Sequence, residues 1–135
     1  SVFYLAGMHE GRFKTFVSHD GVFDLPSMYG TTEELFFVNH EFGDAPWSNP
    51  QPKSFVKDSP HTNADKWDTP ILIIHGLMDY RVPFSQSQYA YQVAQLKGLD
   101  SKLLIFPEEN HWVLDPQNSL IWHSEFYEWL GKYLK

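Results

Sequence analysis

The sequence contains no cysteine. That excludes a disulfide framework, a thiolate zinc site and a cysteine nucleophile, and leaves the redox compartment open. Long hydrophobic runs are also missing. The longest apolar stretch, Ile71-Leu72-Ile73-Ile74, falls far short of the ~18–20 residues of a membrane span. The first residues show neither a basic n-region nor an apolar h-region, so no signal peptide is expected. Positive charge is scarce, with 10 Lys+Arg against 17 Asp+Glu and a net charge of −7. Neither nucleic acid nor an anionic membrane is an expected partner. A soluble protein, cytoplasmic or secreted/periplasmic, fits this balance. Internal repeats and low-complexity tracts are absent.

What is present is a chain of 135 residues, 42% hydrophobic and 20% charged, which is the composition of a folded domain rather than a disordered one. Aromatic residues make up 17% of it. That is a heavy load for a small free-standing domain, and it implies surfaces that something else covers.

Strand-like and helix-like segments alternate. Ser1–Gly7 is apolar and helix-compatible from its first residue, as though the chain begins inside an element. Phe13–His19 suits a short buried strand. A helix over Thr31–Phe42 would start at Thr32, with Glu33 and Glu34 favouring the positive end of its dipole. Residues 43–70 hold Pro46, Pro50, Pro52, Pro60 and Pro70 and read as loop, with one short helix near Ser54–Lys57. Ile71–His75 is a fully buried strand bounded by Pro70 and Gly76. Phe84–Lys97 is a helix closed by Gly98 in the C′ position, and Lys102–Phe106 is a strand stopped by Pro107. Pro116–Leu134 is a long helix with Trp122, Phe126, Trp129 and Tyr133 on a face that should dock on the sheet. The alternation predicts an α/β fold with parallel strands flanked by helices.

In open parallel sheets, ligands bind at the carboxyl ends of the strands. Asp79 follows Ile71–Ile74, and His111 follows Lys102–Phe106, 32 residues later. An acid beside a histidine fixes its tautomer and stabilises the imidazolium that forms when it takes a proton. In α/β-hydrolases the order along the chain is Ser, then Asp or Glu, then His. The nucleophile itself is missing: no Gly-x-Ser-x-Gly occurs, and Ser1 lacks the glycine two residues on. Taken singly, Asp79 could be a turn or cap residue and His111 a packed or solvated one.

Three segments resemble the prolyl oligopeptidase family, in its acylaminoacyl-peptidase and dipeptidyl-peptidase V branch. They are Arg12–Asp24 with Ser18-His19-Asp20-Gly21, Thr69–Pro83 with His75-Gly76 and Asp79-Tyr80-Arg81-Val82-Pro83, and Phe106–Leu114 with Glu109-Asn110-His111-Trp112. Gln117-Asn118-Ser119, leading into the Trp-rich last helix, matches as well. The resemblance covers nearly the whole chain. It implies the C-terminal part of an α/β-hydrolase catalytic domain in a serine peptidase of short peptides, with Asp79 and His111 as triad acid and base. The nucleophilic serine would lie outside the chain, a handful of residues before Ser1, and residues 1–135 alone would be inactive. By the same resemblance Arg81 donates to the carbonyl of the P2 residue and Val82 lines the S1 pocket. An ion pair to a loop carboxylate remains the alternative for Arg81, and core packing for Val82.

The implied partners are a peptide substrate, the missing hydrolase strands and β-propeller of the same protein, and a possible second copy in a homo-oligomer. No cofactor is implied. The seven histidines show no His-Glu-x-x-His or facial-triad spacing, so no metal is expected. His19–Asp20 and His75 read as structural, and Glu33, Glu34, Glu108 and Glu109 as solvated or helix-start charges. Two other readings stay open: an esterase or lipase on the same scaffold, and a non-catalytic module that packs with a partner chain.

Overall fold

A computed structural model describes residues 1–135. Three strands, β1 (Phe16–His19), β2 (Ile71–Gly76) and β3 (Ser101–Phe106), form a parallel sheet in the order β1-β2-β3. Phe16 pairs with Ile71 and Ile71 with Ser101, so all three strands deliver their carboxyl ends to the same edge. The helices are α1 (Val2–Ala6), α2 (Leu25–Tyr29), α3 (Leu35–Phe42), α4 (Lys53–Lys57), α5 (Ser85–Leu96) and α6 (Pro116–Tyr133), with a 3-10 segment over Pro60–Lys66.

β2 is central and every residue in it is buried. Side chains alternate across a strand, so Ile71 and Ile73 face one side and Leu72 and Ile74 the other. Ile71 and Ile73 pack with Phe3 of α1, Trp67, and Ala90 and Ala94 of α5. Leu72 and Ile74 pack with Phe106 and with Trp129 of α6. Helices on both faces explain why the strand is continuously apolar rather than alternating. Burying its four aliphatic side chains contributes roughly 1.5–3 kcal/mol each.

The long excursion between β1 and β2 forms its own cluster of Leu25, Met28, Tyr29, Val38, Ala45 and Phe55, and Val82 joins it from the loop after β2. Gln86 of α5 ties this excursion down, its Oε1 accepting from the backbone of Phe23 and Asp24 at 3.1 and 2.8 Å.

Several expected boundaries move. β1 begins at Phe16 rather than Phe13, where pairing with β2 starts. The helix expected from Thr32 starts at Leu35, with Glu34 as its N-cap. The Thr32 hydroxyl accepts from Glu34 N at 3.0 Å and donates to Arg81 O at 2.6 Å, a turn that anchors the excursion to the loop after β2. α2 is an unanticipated helix, capped by Asp24, which accepts from Ser27 N. The proline-rich stretch yields α4 at the expected place, and also the 3-10 segment. Gly98 does close α5 in a left-handed conformation, with φ of +70°. Of the aromatic face on α6, Trp129 is buried and Trp122, Phe126 and Tyr133 are half-buried.

Trp129 also donates from Nε1 to the Thr15 hydroxyl at 2.7 Å, clamping α6 to the start of β1. Trp129→Ala is expected to cost about 3–5 kcal/mol of stability in denaturant unfolding. Trp129→Phe, which keeps a ring and loses the donor, should cost appreciably less.

Candidate active site at the carboxyl edge of the sheet

The loop after β2 is shaped by two side chains. Asp79 accepts through Oδ1 from the backbone N–H of Arg81 at 3.0 Å and Val82 at 2.9 Å, closing a tight local turn. His75, fully buried, bridges to the far side of that turn: its Nε2 contacts Val82 O at 2.7 Å and its Nδ1 contacts Ser87 Oγ at 2.6 Å. The carbonyl can only accept, so Nε2 carries the hydrogen, and Nδ1 accepts from the serine hydroxyl. Burial pushes the His75 imidazole below its ordinary value, which suits this neutral tautomer.

The loop after β3 is held by a carboxylate. Glu109 accepts from Leu114 N at 2.9 Å, Asp115 N at 3.0 Å and Asn118 Nδ2 at 2.8 Å. It is buried, which corrects the expectation of a solvated charge: the loop folds back on the side chain to satisfy its own amides. The Leu114 amide and the Asn118 side chain hold this carboxyl below its ordinary value. Gly76 lets the loop lie against the end of β2. A Cβ there would meet Asn110 O at 2.3 Å and Glu109 O at 2.4 Å, so no larger residue fits without moving the backbone.

These two loops bring Asp79 and His111 together. His111 Nδ1 lies 2.7 Å from Asp79 Oδ2. The Asp79 side chain is fully buried, whereas that of His111 is 27% exposed. With its Nδ1–H given to the carboxylate, His111 is left with Nε2 as a free acceptor, and that atom has no hydrogen bond within the chain. Asp20, at the end of β1, stands 3.9 Å from the same Nδ1. One ligand atom from each of Asp20, Asp79 and His111 lies within 4.8 Å of the others. A cation there would have to displace the Asp79–His111 hydrogen bond.

Arg81 and His111 line two clefts of about 330 and 380 Å³ that meet above the strand ends. Arg81 Nη2 pairs with Glu34 Oε1 at 2.6 Å, and its guanidinium lies 5.0 Å from the ring centre of Trp112. Arg81 thus makes the loop ion pair while standing at the cleft. Val82 is buried in the cluster beneath the excursion and also lines the second cleft. Glu34, Trp112 and Asp20 are neighbours that sequence reasoning did not assign to the site. The sequence signal for Asp20 was its position at a strand end, directly after β1.

A second Ser/His/Asp set is structural. Ser59 Oγ lies 2.6 Å from His61 Nδ1, but Ser59 is fully buried and accepts from Leu25 N. Asp24 approaches that same Nδ1 at 3.7 Å, so it cannot orient the ring for the serine. A larger cleft of about 580 Å³ lies between the start of β3 and the end of α6, lined by pairs such as Lys102–Glu125 and Lys132–Asp100, at the opposite end of the strand from His111.

The family model described as the Prolyl oligopeptidase family matches residues 1–135. The chain is similar to dipeptidyl-peptidase 5 of Porphyromonas endodontalis, 48% identical over 137 residues, covering 100% of this chain and 20% of that protein. It is 42% identical over 133 residues to dipeptidyl-peptidase 5 of Schizosaccharomyces pombe, covering 98% of this chain and 19% of the relative. The chain therefore spans about a fifth of the length of these curated relatives. Among solved structures, Pyrococcus horikoshii acylaminoacyl peptidase superposes with a TM-score of 0.87 at 28% identity, over 98% of this chain and 23% of that one. An acylaminoacyl peptidase in complex with Z-Gly-Gly-Phe-chloromethyl ketone gives a TM-score of 0.85 at 24% identity, over 98% and 22%, a likeness of fold alone.

The Glu109 clamp predicts a pH dependence. A carboxyl held below its ordinary 4.5 in the folded state adds stability that is present above the unfolded value and lost as pH falls through the folded one. Glu109→Gln, with one acceptor oxygen for three donors, should cost about 1–3 kcal/mol at neutral pH. It should also make the loss of stability below pH 4.5 shallower than in the parent when unfolding is followed against pH.

Proposed function

The chain belongs to the prolyl oligopeptidase family and has the parallel sheet and flanking helices of an α/β-hydrolase fold; on that premise we propose that residues 1–135 supply the acid and base of a serine peptidase active site. The observation that carries this reading is the 2.7 Å contact of His111 Nδ1 with a fully buried Asp79, which leaves Nε2 facing the cleft. In this reading the residues form the C-terminal part of the catalytic domain. The serine elbow would belong to another part of the same protein, since no Gly-x-Ser-x-Gly occurs in these residues, and the family resemblance implies the first strands of the sheet and a β-propeller there as well.

In this reading the steps are those of a serine peptidase. His111 Nε2 takes the serine proton as the hydroxyl attacks the scissile carbonyl, and the ring becomes an imidazolium held by Asp79. The same nitrogen then gives the proton to the departing amine, leaving an acyl-enzyme that water hydrolyses by the reverse sequence. Asp79 holds the ring through the whole cycle. Its Oδ1 is fixed by the Arg81 and Val82 amides and its Oδ2 by His111, so neither oxygen is free to rotate away.

Arg81, which borders both clefts, is read as the donor to the carbonyl of the P2 residue. Its Nη2 pairs with Glu34 and its guanidinium lies over the Trp112 ring, so a substrate carbonyl would share the group with Glu34. Val82 supplies an apolar wall to the S1 pocket, where it borders the second cleft beside Phe37 and Met28. The substrates are short peptides, cleaved in the manner of a dipeptidyl- or acylaminoacyl-peptidase. No helix is long and apolar enough to cross a membrane.

The test uses the full-length protein that contains this chain, assayed on dipeptidyl amides, acylaminoacyl amides and short acyl esters. Asp79→Asn and His111→Ala should each lower kcat on the amides by roughly 10³–10⁴-fold with the fold intact by circular dichroism. Wild-type turnover in either variant would contradict the assignment, and activity confined to acyl esters would favour an esterase on the same scaffold.

A further inference from the structure

The carboxyl end of β1 carries a second buried carboxylate, which the acid–base pair does not by itself require. The Asp20 side chain is only 3% exposed. Its backbone is left-handed, with φ of +48°, a conformation that costs any residue other than glycine. Oδ1 accepts from Gly76 N at 3.4 Å and lies 3.7 Å from His75 Nδ1, a nitrogen already occupied by the Ser87 hydroxyl. Oδ2 makes no hydrogen bond of good geometry. It lies 3.0 Å from His19 Nε2 on one side and 3.9 Å from His111 Nδ1 on the other.

A buried carboxylate oxygen without a hydrogen bond, on a strained backbone, is unfavourable in a resting fold. The arrangement becomes favourable when a positive charge appears beside it. His111 acquires such a charge in the reaction, and His19 is the other imidazole beside the same oxygen. We propose that Asp20 is a second acidic positioning residue for His111, its Oδ2 set beside that of Asp79 so that the imidazolium is held against two carboxylates. The proposal rests on the reading of His111 as the base. The titratable groups facing Asp20 are His19 from β1, His75 from β2, Asp79 from the loop after β2 and His111 from the loop after β3, with the paired Glu34 and Arg81 lining the same cleft. From α6 comes the uncharged Trp122, whose ring centre lies 5.9 Å from that of His19.

The experiment is the pH profile of kcat/KM in the full-length protein. Asp20→Asn is close in shape, keeps an acceptor for Gly76 N, and suits left-handed backbone better than most residues. Removing this negative charge makes His111 harder to protonate. The acidic limb, which reports loss of the neutral base, should therefore move to lower pH by roughly one unit. KM on the plateau should be unchanged. His19→Gln removes the other imidazole beside Asp20 Oδ2 and leaves that oxygen to His111, which should move the same limb to higher pH. A merely structural Asp20 would alter stability and leave the limb in place. An unmoved limb in Asp20→Asn overturns the proposal, whether the plateau rate is kept or lost. Should that variant fail to fold, an unmoved limb in His19→Gln overturns it and an upward shift supports it. Asp79→Asn, run alongside, separates the two readings: wild-type turnover there removes the acid–base assignment itself, whereas a loss there with an unmoved limb in Asp20→Asn removes Asp20 alone.

Discussion

The hydrogen bond between Asp79 and His111 depends on a backbone constraint at Gly76, three residues before Asp79. β2 and β3 run parallel in matched register, so both loops leave the sheet at one edge. Parallel register alone would leave the loops side by side without contact. Gly76 closes the gap, because the carbonyls of Glu109 and Asn110 occupy the space where a side chain would stand. Glu109 then folds the loop after β3 around its own carboxylate, and His75 braces the loop after β2 from below. Each part is individually weak, of the order of 1 kcal/mol for a typical hydrogen bond. Together they hold two side chains at 2.7 Å from elements 32 residues apart.

The electrostatics of the edge follow from what surrounds it. Asp79 is fully buried and Asp20 nearly so, yet neither makes an ion pair with a lysine or arginine. Their neighbours are backbone amides and three histidines, His19, His75 and His111. Of these, His75 is locked neutral by burial and by its two partners, while His111 keeps access to the cleft. Negative charge is thus gathered where a histidine can become positive, which is the arrangement a general base requires. Arg81 pairs with Glu34 and lies over Trp112, so its charge at the cleft is met by Glu34 rather than by Asp79 or Asp20.

Much of this was legible in the sequence, for physical reasons. Ile71–Ile74 is too apolar and too short to be anything but a strand buried on both faces, and it is β2. Asp79 and His111 stand at strand ends, and the parallel sheet brings them together. Gly98 marked the end of α5 because a left-handed residue is needed there. What escaped was set by tertiary context. The Thr32 hydroxyl looked like a helix cap, but it bridges to Arg81 O, and the helix waits until Leu35. Glu109 looked like a surface charge because its partners, Leu114, Asp115 and Asn118, become donors only when the loop folds back. Asp20 looked like half of a structural pair with His19, since its distance to His111 depends on the pairing of all three strands. The heavy aromatic content has a partial account: Phe3, Phe23 and Trp67 interlock in one core, while Phe36 and Trp47 remain 84% and 77% exposed on the excursion.

The most direct measurement is proton NMR of the full-length protein with 15N-labelled histidine, observing the far-downfield region. A hydrogen held between His111 Nδ1 and the Asp79 carboxylate should give a strongly deshielded, 15N-coupled resonance, slow to exchange with water, that vanishes in Asp79→Asn and persists in His19→Gln. No such resonance in the parent protein, or one that survives Asp79→Asn, would contradict the account.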